Sequence, residues 1–214
     1  MSLASCTSNI GGLTIGPVLG MSADDLPLLG ESLSVEIANT LYALDEGIVI
    51  DVLADPALRR LWLRGVSIGT DLPSDIDDRE LDELRRIRDA VHELLRCSAT
   101  KGLPRQSAVD VVNWAALRSP SVAQLSWKRS TSPRAESSSV GDSWLDRLSG
   151  SAAVDAIAVV TGPKAVRECT GPGCRLLFVA HHGRRRFCHP SCSHRARQAA
   201  YTQRNHASIE EQHR

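Results

Sequence analysis

Four cysteines near the carboxyl end of this 214-residue chain have the spacing of a zinc site. Four residues separate Cys169 from Cys174, and three separate Cys188 from Cys192. A structural zinc ion takes four tetrahedral ligands, and soft thiolates are among those that it prefers. The segment 170–173, Thr-Gly-Pro-Gly, predicts a tight turn that brings the first two sulfur atoms together, since both glycines can adopt positive φ. The pattern predicts one structural Zn²⁺ per chain.

Other uses of these cysteines fit the sequence less well. Disulfides would require an oxidising compartment, and a redox-active dithiol favours a two-residue spacing that is absent here. His189 and His194 lie close enough for either imidazole to replace one thiolate, so that alternative stays open. A catalytic zinc needs an open coordination position, which four thiolates do not leave, and Glu168 is the only carboxylate between residues 156 and 209. We therefore expect no enzymatic activity.

The residues between the cysteines predict how the ligands are positioned. Residues 176–179, Leu-Leu-Phe-Val, are typical of a strand, 182–183 of a turn, and 185–188 of the returning strand of a hairpin. From Pro190 onward the chain predicts a helix that carries Cys192 in its first turn. A knuckle, a β-hairpin and a helix in this order form a treble-clef-like zinc module.

Charge divides the chain into an acidic part and a basic part. Residues 1–162 contain 15 basic and 22 acidic residues, whereas residues 163–214 contain 10 basic and 3 acidic residues and six of the seven histidines. A basic segment of this kind is suited to a polyanion, although its arginines could also contact the acidic part or remain in water.

The basic residues predict a DNA-binding surface. On the last helix, spacings of three, seven and ten residues place four of the candidates on one face, with Arg195 about one step around. The candidates are Arg184, Arg185, Arg186, His194, Arg195, Arg197, Tyr201 and Arg204. Such a helix could hold phosphates and present arginine to base edges, so duplex DNA is the expected partner. The alternative is a protein-interaction module that docks the transcription machinery without reading a sequence.

The acidic part reads as a mainly helical body with a small strand element, which makes the fold α+β. Residues 1–27 predict a poorly ordered lead-in, and residues 206–214 a tail. Alternation of Leu33, Val35 and Ile37 with smaller or polar residues predicts a strand that ends at Asn39. Glu36 and Asn39, at the end of this strand, are the speculative candidates for a small-molecule site.

Helices are predicted from Asp55-Pro56, over 78–97, over 105–118 and from Trp144 to about residue 160. His92 lies beside the apolar stripe of the long helix and is expected to be solvated. Six serines among residues 130–143 predict a flexible loop or linker. The change of composition at Gly162-Pro163 predicts a boundary between a body, 28–162, and a zinc module, 163–205, that behave as separable units.

The cysteine segment resembles the CGNR zinc finger. The resemblance is carried by CTGPGC, RLLFVAHHGRRRFC and CSHRARQAAYTQR, and it implies zinc and DNA binding. Upstream, VEIANTL, ADPALRRLWL, LRRIRDAVHELL and DVVNWAAL are similar to the ABATE domain, which precedes this finger in bacterial stress-induced transcription regulators. Ser193 and His194 stand where the signature has Gly and Asn, so only Arg195 of that triplet is kept. The resemblance implies a regulator whose body senses a ligand or a partner.

The sequence also bears on location. No stretch of 18 uncharged apolar residues is present, and no Lys or Arg precedes the weakly apolar residues at the amino end. We therefore expect a cytoplasmic protein without a membrane partner. Its oligomeric state, target sequence and effect on transcription are left open.

Overall fold

The computed structural model describes residues 26, 28–43, 49–66, 73, 75–129, 132–141 and 143–212. The predicted lead-in falls outside these residues apart from Leu26, and so do the side chains of the predicted tail. The described residues form six helices, α1 to α6: Leu33–Ala38, Pro56–Gly65, Asp78–Thr100, Gln106–Arg118, Trp144–Thr161 and Pro190–Gln212. They also form six strands, β1 to β6: Leu41–Ala43, Val49–Asp51, Ser121–Ser126, Arg134–Ser139, Ala165–Glu168 and Leu177–Ala180.

The predicted helices of the body begin at the capping residues that the sequence supplies. The Asp55 side chain accepts hydrogen bonds from the backbone amides of Ala57 and Leu58, with Pro56 at the first helical position of α2. Asp77 and Glu80 form a reciprocal capping box at the start of α3. These side chains satisfy backbone donors that would otherwise lack partners in the first helical turn. The helices predicted over 55 onward, 78–97, 105–118 and 144–160 are therefore confirmed, with small differences at their ends.

The segment 33–38, which was predicted to be a strand, forms the short helix α1 instead. Alternation predicts a strand when one set of side chains faces water, but every residue from Ser34 to Thr40 is buried here. The polar members of the alternation have internal partners: the Glu36 carboxylate accepts the backbone N–H of Glu31 at 2.7 Å, and the backbone N–H of Ser34 donates to Asp155 Oδ2 at 2.8 Å. The strand prediction was wrong because both the apolar and the polar side chains of the alternation are buried.

The serine-rich segment also differs from its prediction. Residues 134–139 form β4, which pairs antiparallel with β3 over six residue pairs from Ser121↔Ser139 to Ser126↔Arg134. The predicted flexible loop is therefore wrong for these six residues, since backbone pairing depends little on whether the side chains are serine. The two strands form a two-stranded sheet of their own, separate from β1–β2 and β5–β6.

The main core surrounds α3, which contacts α1, α4, α5 and β5. Leu84, Val91 and Leu95 of its apolar stripe are fully buried. Val166 of β5 and Leu177 of β6 belong to the same core, although they precede and follow the first two cysteines. The zinc module is therefore packed against the body, and whether the two behave as separable units, as the sequence predicts, stays a prediction.

His92 of α3 is half-buried rather than solvated. Burial, together with the neighbouring Arg96 and Arg88 side chains, lowers the pKa of His92 to about 4 from its ordinary value of 6.5. The neutral imidazole is thus the form that the fold accommodates.

This shift predicts that the fold loses stability in acid. Between pH 6.5 and 4 the unfolded chain binds a proton at His92 that the folded chain does not, so the free energy of unfolding falls as the pH is lowered, by at most about 1.4 kcal/mol per pH unit. In His92→Gln this contribution disappears. Urea unfolding of both proteins at pH 7, 6 and 5.5 gives the free energy of unfolding as a function of pH. The same dependence on pH in the two proteins would contradict the prediction.

No helix within the described residues is long and apolar enough to cross a membrane.

Candidate metal centre and basic helix

The structure brings the four cysteine sulfur atoms together. The Sγ atoms of Cys169, Cys174, Cys188 and Cys192 all lie within 4.8 Å of one another, and all four residues are buried. The Sγ of Cys188 is 3.6 Å from that of Cys174 and 3.6 Å from that of Cys192. A tetrahedral ion with Zn–S bonds of about 2.3 Å separates its sulfur ligands by about 3.8 Å. The four sulfurs therefore fit one zinc ion per chain.

Two short segments hold the ligands at these positions. Between Cys169 and Cys174 the chain turns so closely that a Cβ on Gly171 would lie 2.8 Å from the Cβ of Cys192. Gly173 adopts the left-handed φ of +68° that the turn requires, and it is the one glycine of this turn that does so. Cys192 lies in the first turn of α6, as predicted.

The strands of the zinc module pair differently from the prediction. β6 pairs antiparallel with β5, which precedes Cys169, in a register that runs from Ala165↔Ala180 to Glu168↔Leu177. Residues 185–188, which were predicted to be the returning strand, are irregular. Side-chain and backbone bonds fix this segment instead: Arg167 donates to the carbonyls of Gly183 and Arg185, each at 2.9 Å. Residues 165–168 do not alternate between apolar and polar side chains, and only Val166 among them is buried, so the sequence carried no clear signal for β5.

Hydrogen bonds to the sulfur atom of Cys169 favour its thiolate over its thiol. Cys169 Sγ accepts the backbone amides of Gly171 and Cys188, each at 3.4 Å. Bonds from the Cys174 and Cys188 side chains lower the pKa of Cys169 to about 2, whereas the same contact with Cys169 raises the pKa of Cys174 to about 12. The Cys169 thiolate thus accepts hydrogen bonds from the protonated thiols beside it. Binding of Zn²⁺ would release those protons and put metal–sulfur bonds in place of the hydrogen bonds.

The histidines that could have replaced a cysteine ligand lie outside the cluster. His189 Nδ1 is 2.9 Å from Ser191 Oγ and accepts the backbone N–H of Ser191 at 3.2 Å. His194 is exposed on α6. Within the described residues, the four cysteines form the only group of three or more His, Cys, Asp or Glu that could hold a metal ion.

Arg185, which was predicted to contact DNA, is turned into the protein. Its guanidinium donates to the carbonyls of Phe187, Val179 and Cys188, at 3.2, 3.0 and 2.7 Å. It also lies 4.6 Å from the centre of the Phe178 ring and forms an ion pair with Glu31 at 2.7 Å. Because it has so many internal partners, Arg185 ties the zinc module together and joins it to the body. These internal contacts were not predicted from the sequence, and the DNA contact of Arg185 stays a prediction.

The other predicted DNA-contacting residues are exposed. Arg184 and Arg186 lie on the loop that follows β6, and His194, Arg197, Tyr201 and Arg204 lie along α6. Arg197 donates to Ser193 Oγ at 2.9 Å. Arg195 is also exposed, but its Nη2 donates to Cys192 Sγ at 3.3 Å, so this arginine contacts a zinc ligand as well.

The two speculative ligand-binding residues have internal partners. The Glu36 carboxylate accepts the backbone amides of Leu29 at 2.9 Å and of Glu31 at 2.7 Å, while burial raises the pKa of Glu36. The Asn39 side chain donates to the carbonyl of Leu177 and accepts its amide, both at 2.9 Å. Glu36 therefore shapes the segment before α1, and Asn39 joins the end of α1 to β6. These contacts give both residues a structural role, while their predicted role in binding a small molecule stays a prediction.

Glu31 is a residue of this junction that sequence reasoning missed. Its side chain is only 5% exposed, and it accepts the backbone amide of Val179 at 3.2 Å in addition to its ion pair with Arg185. A single glutamate before a short helix carries no pattern that would have identified it. Together with Asn39, it binds the amino-terminal edge of the body to β6.

Two families match consecutive parts of the chain. The sequence model of the ABATE family, described as "Putative stress-induced transcription regulator", matches residues 31–163, which is more than half of the chain. The model of the CGNR zinc finger matches residues 165–205. No individual curated protein matches the chain. The two matches meet at the end of α5, immediately before β5.

Proposed function

Since the chain belongs to the ABATE family and holds one zinc ion in a CGNR zinc finger, we propose that this zinc-binding regulator binds duplex DNA through the exposed basic face of α6. The exposed side chains of α6 support the proposal most directly. His194, Arg197 and Tyr201 line a shallow groove on that helix, and Tyr201 is 62% exposed.

Nearby charges leave this face positive. Glu168 is the only carboxylate in residues 156–209, and it forms an ion pair with Arg175 at 3.3 Å. Arg184 and Arg186 add exposed positive charge on the loop before Cys188. A basic helix with an aromatic residue can place arginines on phosphates and on base edges in the major groove. This surface suits a polyanion better than a neutral protein partner.

Zinc has a structural role in this proposal. Four buried thiolates complete the tetrahedron and leave no position for a substrate or a reactive water. The ion fixes the start of α6 relative to the turn at 170–173, so it sets the direction in which the basic face points. We accordingly propose a regulator without catalytic activity, acting in the cytoplasm, whose body transmits a signal to the finger through the Glu31 and Asn39 contacts.

Substitution of the exposed arginines should weaken DNA binding in two distinguishable ways. Arg197→Ala is expected to reduce affinity and, where the side chain reads a base, to remove about 1–3 kcal/mol of discrimination. Arg184→Ala is expected to weaken binding to all sequences alike and to flatten the slope of log affinity against log salt by about 0.9, because it removes one phosphate contact. Fluorescence anisotropy with zinc-loaded protein and labelled duplexes measures both effects.

A matched control is Arg60→Ala, which removes an exposed arginine from α2 on the body. Its affinity and salt slope should equal those of the unsubstituted chain. Selection from random duplexes, read by sequencing, separates the outcomes: an enriched motif indicates a sequence-specific regulator, whereas retention without enrichment indicates non-specific binding. Absence of binding at low salt would contradict the proposal and favour a finger that docks the transcription machinery.

A further inference from the structure

The hairpin formed by β3 and β4 has a basic end on an acidic body. Residues 121–140 contain three basic residues and one acidic residue, whereas the remainder of residues 1–162 contains 12 basic and 21 acidic residues. Lys128 and Arg129 follow β3, and Arg134 begins β4, so all three lie where the hairpin turns. All three side chains are exposed. The charge of this end is therefore opposite to that of the body that carries it.

Exposed apolar groups accompany these charges. Trp127, next to Lys128, is 68% exposed, and Leu125 is 71% exposed. Leu125 lies directly opposite Ala135 in the ladder, so both side chains share one face of the hairpin. Pro133 precedes Arg134 at the same end. Large apolar side chains that remain in water and are bordered by charge typically mark a surface that binds a partner.

The base of the hairpin is anchored to the body. The backbone N–H of Val140 donates to the carbonyl of Pro120 at 3.1 Å, which closes the ladder there. Gly150 of α5 lies so close to Ser119 that a Cβ on the glycine would be 2.5 Å from the Cβ of that serine. Six continuous residue pairs then extend the strands by about 20 Å. The β3–β4 hairpin, residues 121–139, is called the arm below, and its base is fixed on the body.

The arm and the zinc finger are attached to opposite ends of α5. Residues 140–143 lead from β4 into the first residue of α5, and β5 begins four residues after its last. The 18 residues of α5 extend over about 27 Å. One turn of B-form DNA is about 34 Å long, so a single duplex is long enough to reach both attachment points.

We propose that the end of the β3–β4 hairpin is a second DNA-contacting element, in which the basic side chains bind phosphates and Trp127 and Pro133 contact the minor groove. Proteins that bind the minor groove combine basic side chains with apolar wedges in this way. The inference rests on the proposed function, because it assigns the same partner to a second surface. The basic charge at this end complements the phosphates of the duplex that α6 is proposed to bind, and the acidic body of a second copy is the competing occupant that the test must distinguish.

The test compares the zinc-loaded full chain with the double variant Lys128→Ala/Arg129→Ala and with the single variant Trp127→Ala. Loss of two phosphate contacts should flatten the slope of log affinity against log salt by about 1.8 and reduce affinity for a 30-base-pair duplex about tenfold. Trp127→Ala should reduce affinity with little change of slope, since it removes an uncharged contact. Arg60→Ala serves as the control, and equal zinc content and circular dichroism establish that each variant is folded.

A measurement without substitutions supplements the affinities. If the arm contacts DNA, adding the duplex should protect Lys128 from acetylation, whereas Lys101, at the end of α3 on the body, keeps its reactivity. The proposal for the arm is wrong if the arm variants keep the affinity and the salt slope of the unsubstituted chain and if DNA does not protect Lys128 from acetylation. The proposed function is unaffected by that result as long as the chain binds DNA through α6. If neither the unsubstituted chain nor any variant binds DNA, both the proposed function and the role of the arm are contradicted. A change of mass in light scattering for the Trp127→Ala variant, without a change in affinity, would overturn the arm in favour of self-association.

Discussion

Removal of zinc is expected to unfold residues 165–205 and also to lower the stability of the helical body. Structural zinc supplies roughly 10–16 kcal/mol of apparent binding free energy in small fingers, which exceeds what so short a segment could replace by burial. In this chain Val166, Leu177 and Val179 of the zinc module belong to the core around α3. When β5 and β6 separate from this core, apolar surface of the body is exposed to water.

The Cys174→Ala variant tests this expectation, and Cys97→Ala is its control. Cys97 is buried on α3 but is not a member of the metal cluster, so its loss removes a thiol without removing a ligand. We expect native mass spectrometry to find no zinc in the first variant and one ion in the second. Amide exchange should become fast over residues 165–205 only in the Cys174 variant. Retained protection in that segment without zinc would contradict the structural role of the ion.

The free energy of unfolding of the body is the second measurement. If the Cys174→Ala substitution lowers the free energy of unfolding of the body more than Cys97→Ala, which truncates a buried side chain of α3, the two modules share their stability. If the Cys174→Ala substitution leaves that free energy unchanged, the finger and the body are separable, as the composition of the chain predicts at Gly162-Pro163. The buried positions of Leu177 and Val179 favour the first result.

The zinc ligands could be predicted from the sequence because four residues of one chemical type at short spacing admit few arrangements. The stripe of α3 was equally clear, since Leu84, Val91 and Leu95 repeat at the helical period and are buried. Both predictions depend on contacts within short stretches of sequence or on one repeated spacing. Neither requires knowledge of which distant segment lies opposite.

The features that the sequence did not predict depend on distant segments or on backbone pairing. Residues 33–38 form a helix because the residues around them bury both sides of the alternation. Arg185 turns inward because Glu31, which lies more than 150 positions earlier, is placed beside it, while its neighbours Arg184 and Arg186 face water. Net charge alone does not distinguish three successive arginines. β4 was missed because pairing of backbone groups does not require the apolar alternation on which strand prediction relies.

Substitution of Asn39 by alanine should weaken the junction between the finger and the body while zinc remains bound. The Asn39 side chain is 2% exposed and satisfies both the amide and the carbonyl of Leu177, each at 2.9 Å. Alanine would leave two buried backbone groups without these partners, and each such loss costs about 1–3 kcal/mol. We expect a total loss of about 2–6 kcal/mol, a large fraction of the stability of a domain of this size. Urea unfolding measures this loss.

The control for this prediction is Asn113→Ala, which changes an exposed asparagine of α4 and should leave the unfolding free energy nearly unchanged. In the Asn39 variant, faster amide exchange should be confined at first to β5, β6 and the end of α1, because these segments meet at the lost bonds. Zinc content should stay at one ion per chain, since no ligand is altered. Loss of zinc together with the junction would show that the ion depends on the docking of the finger, and it would contradict the order of events inferred from these contacts. An unfolding free energy equal to that of the Asn113 variant would show that the Asn39 bonds contribute little to the union of the two modules.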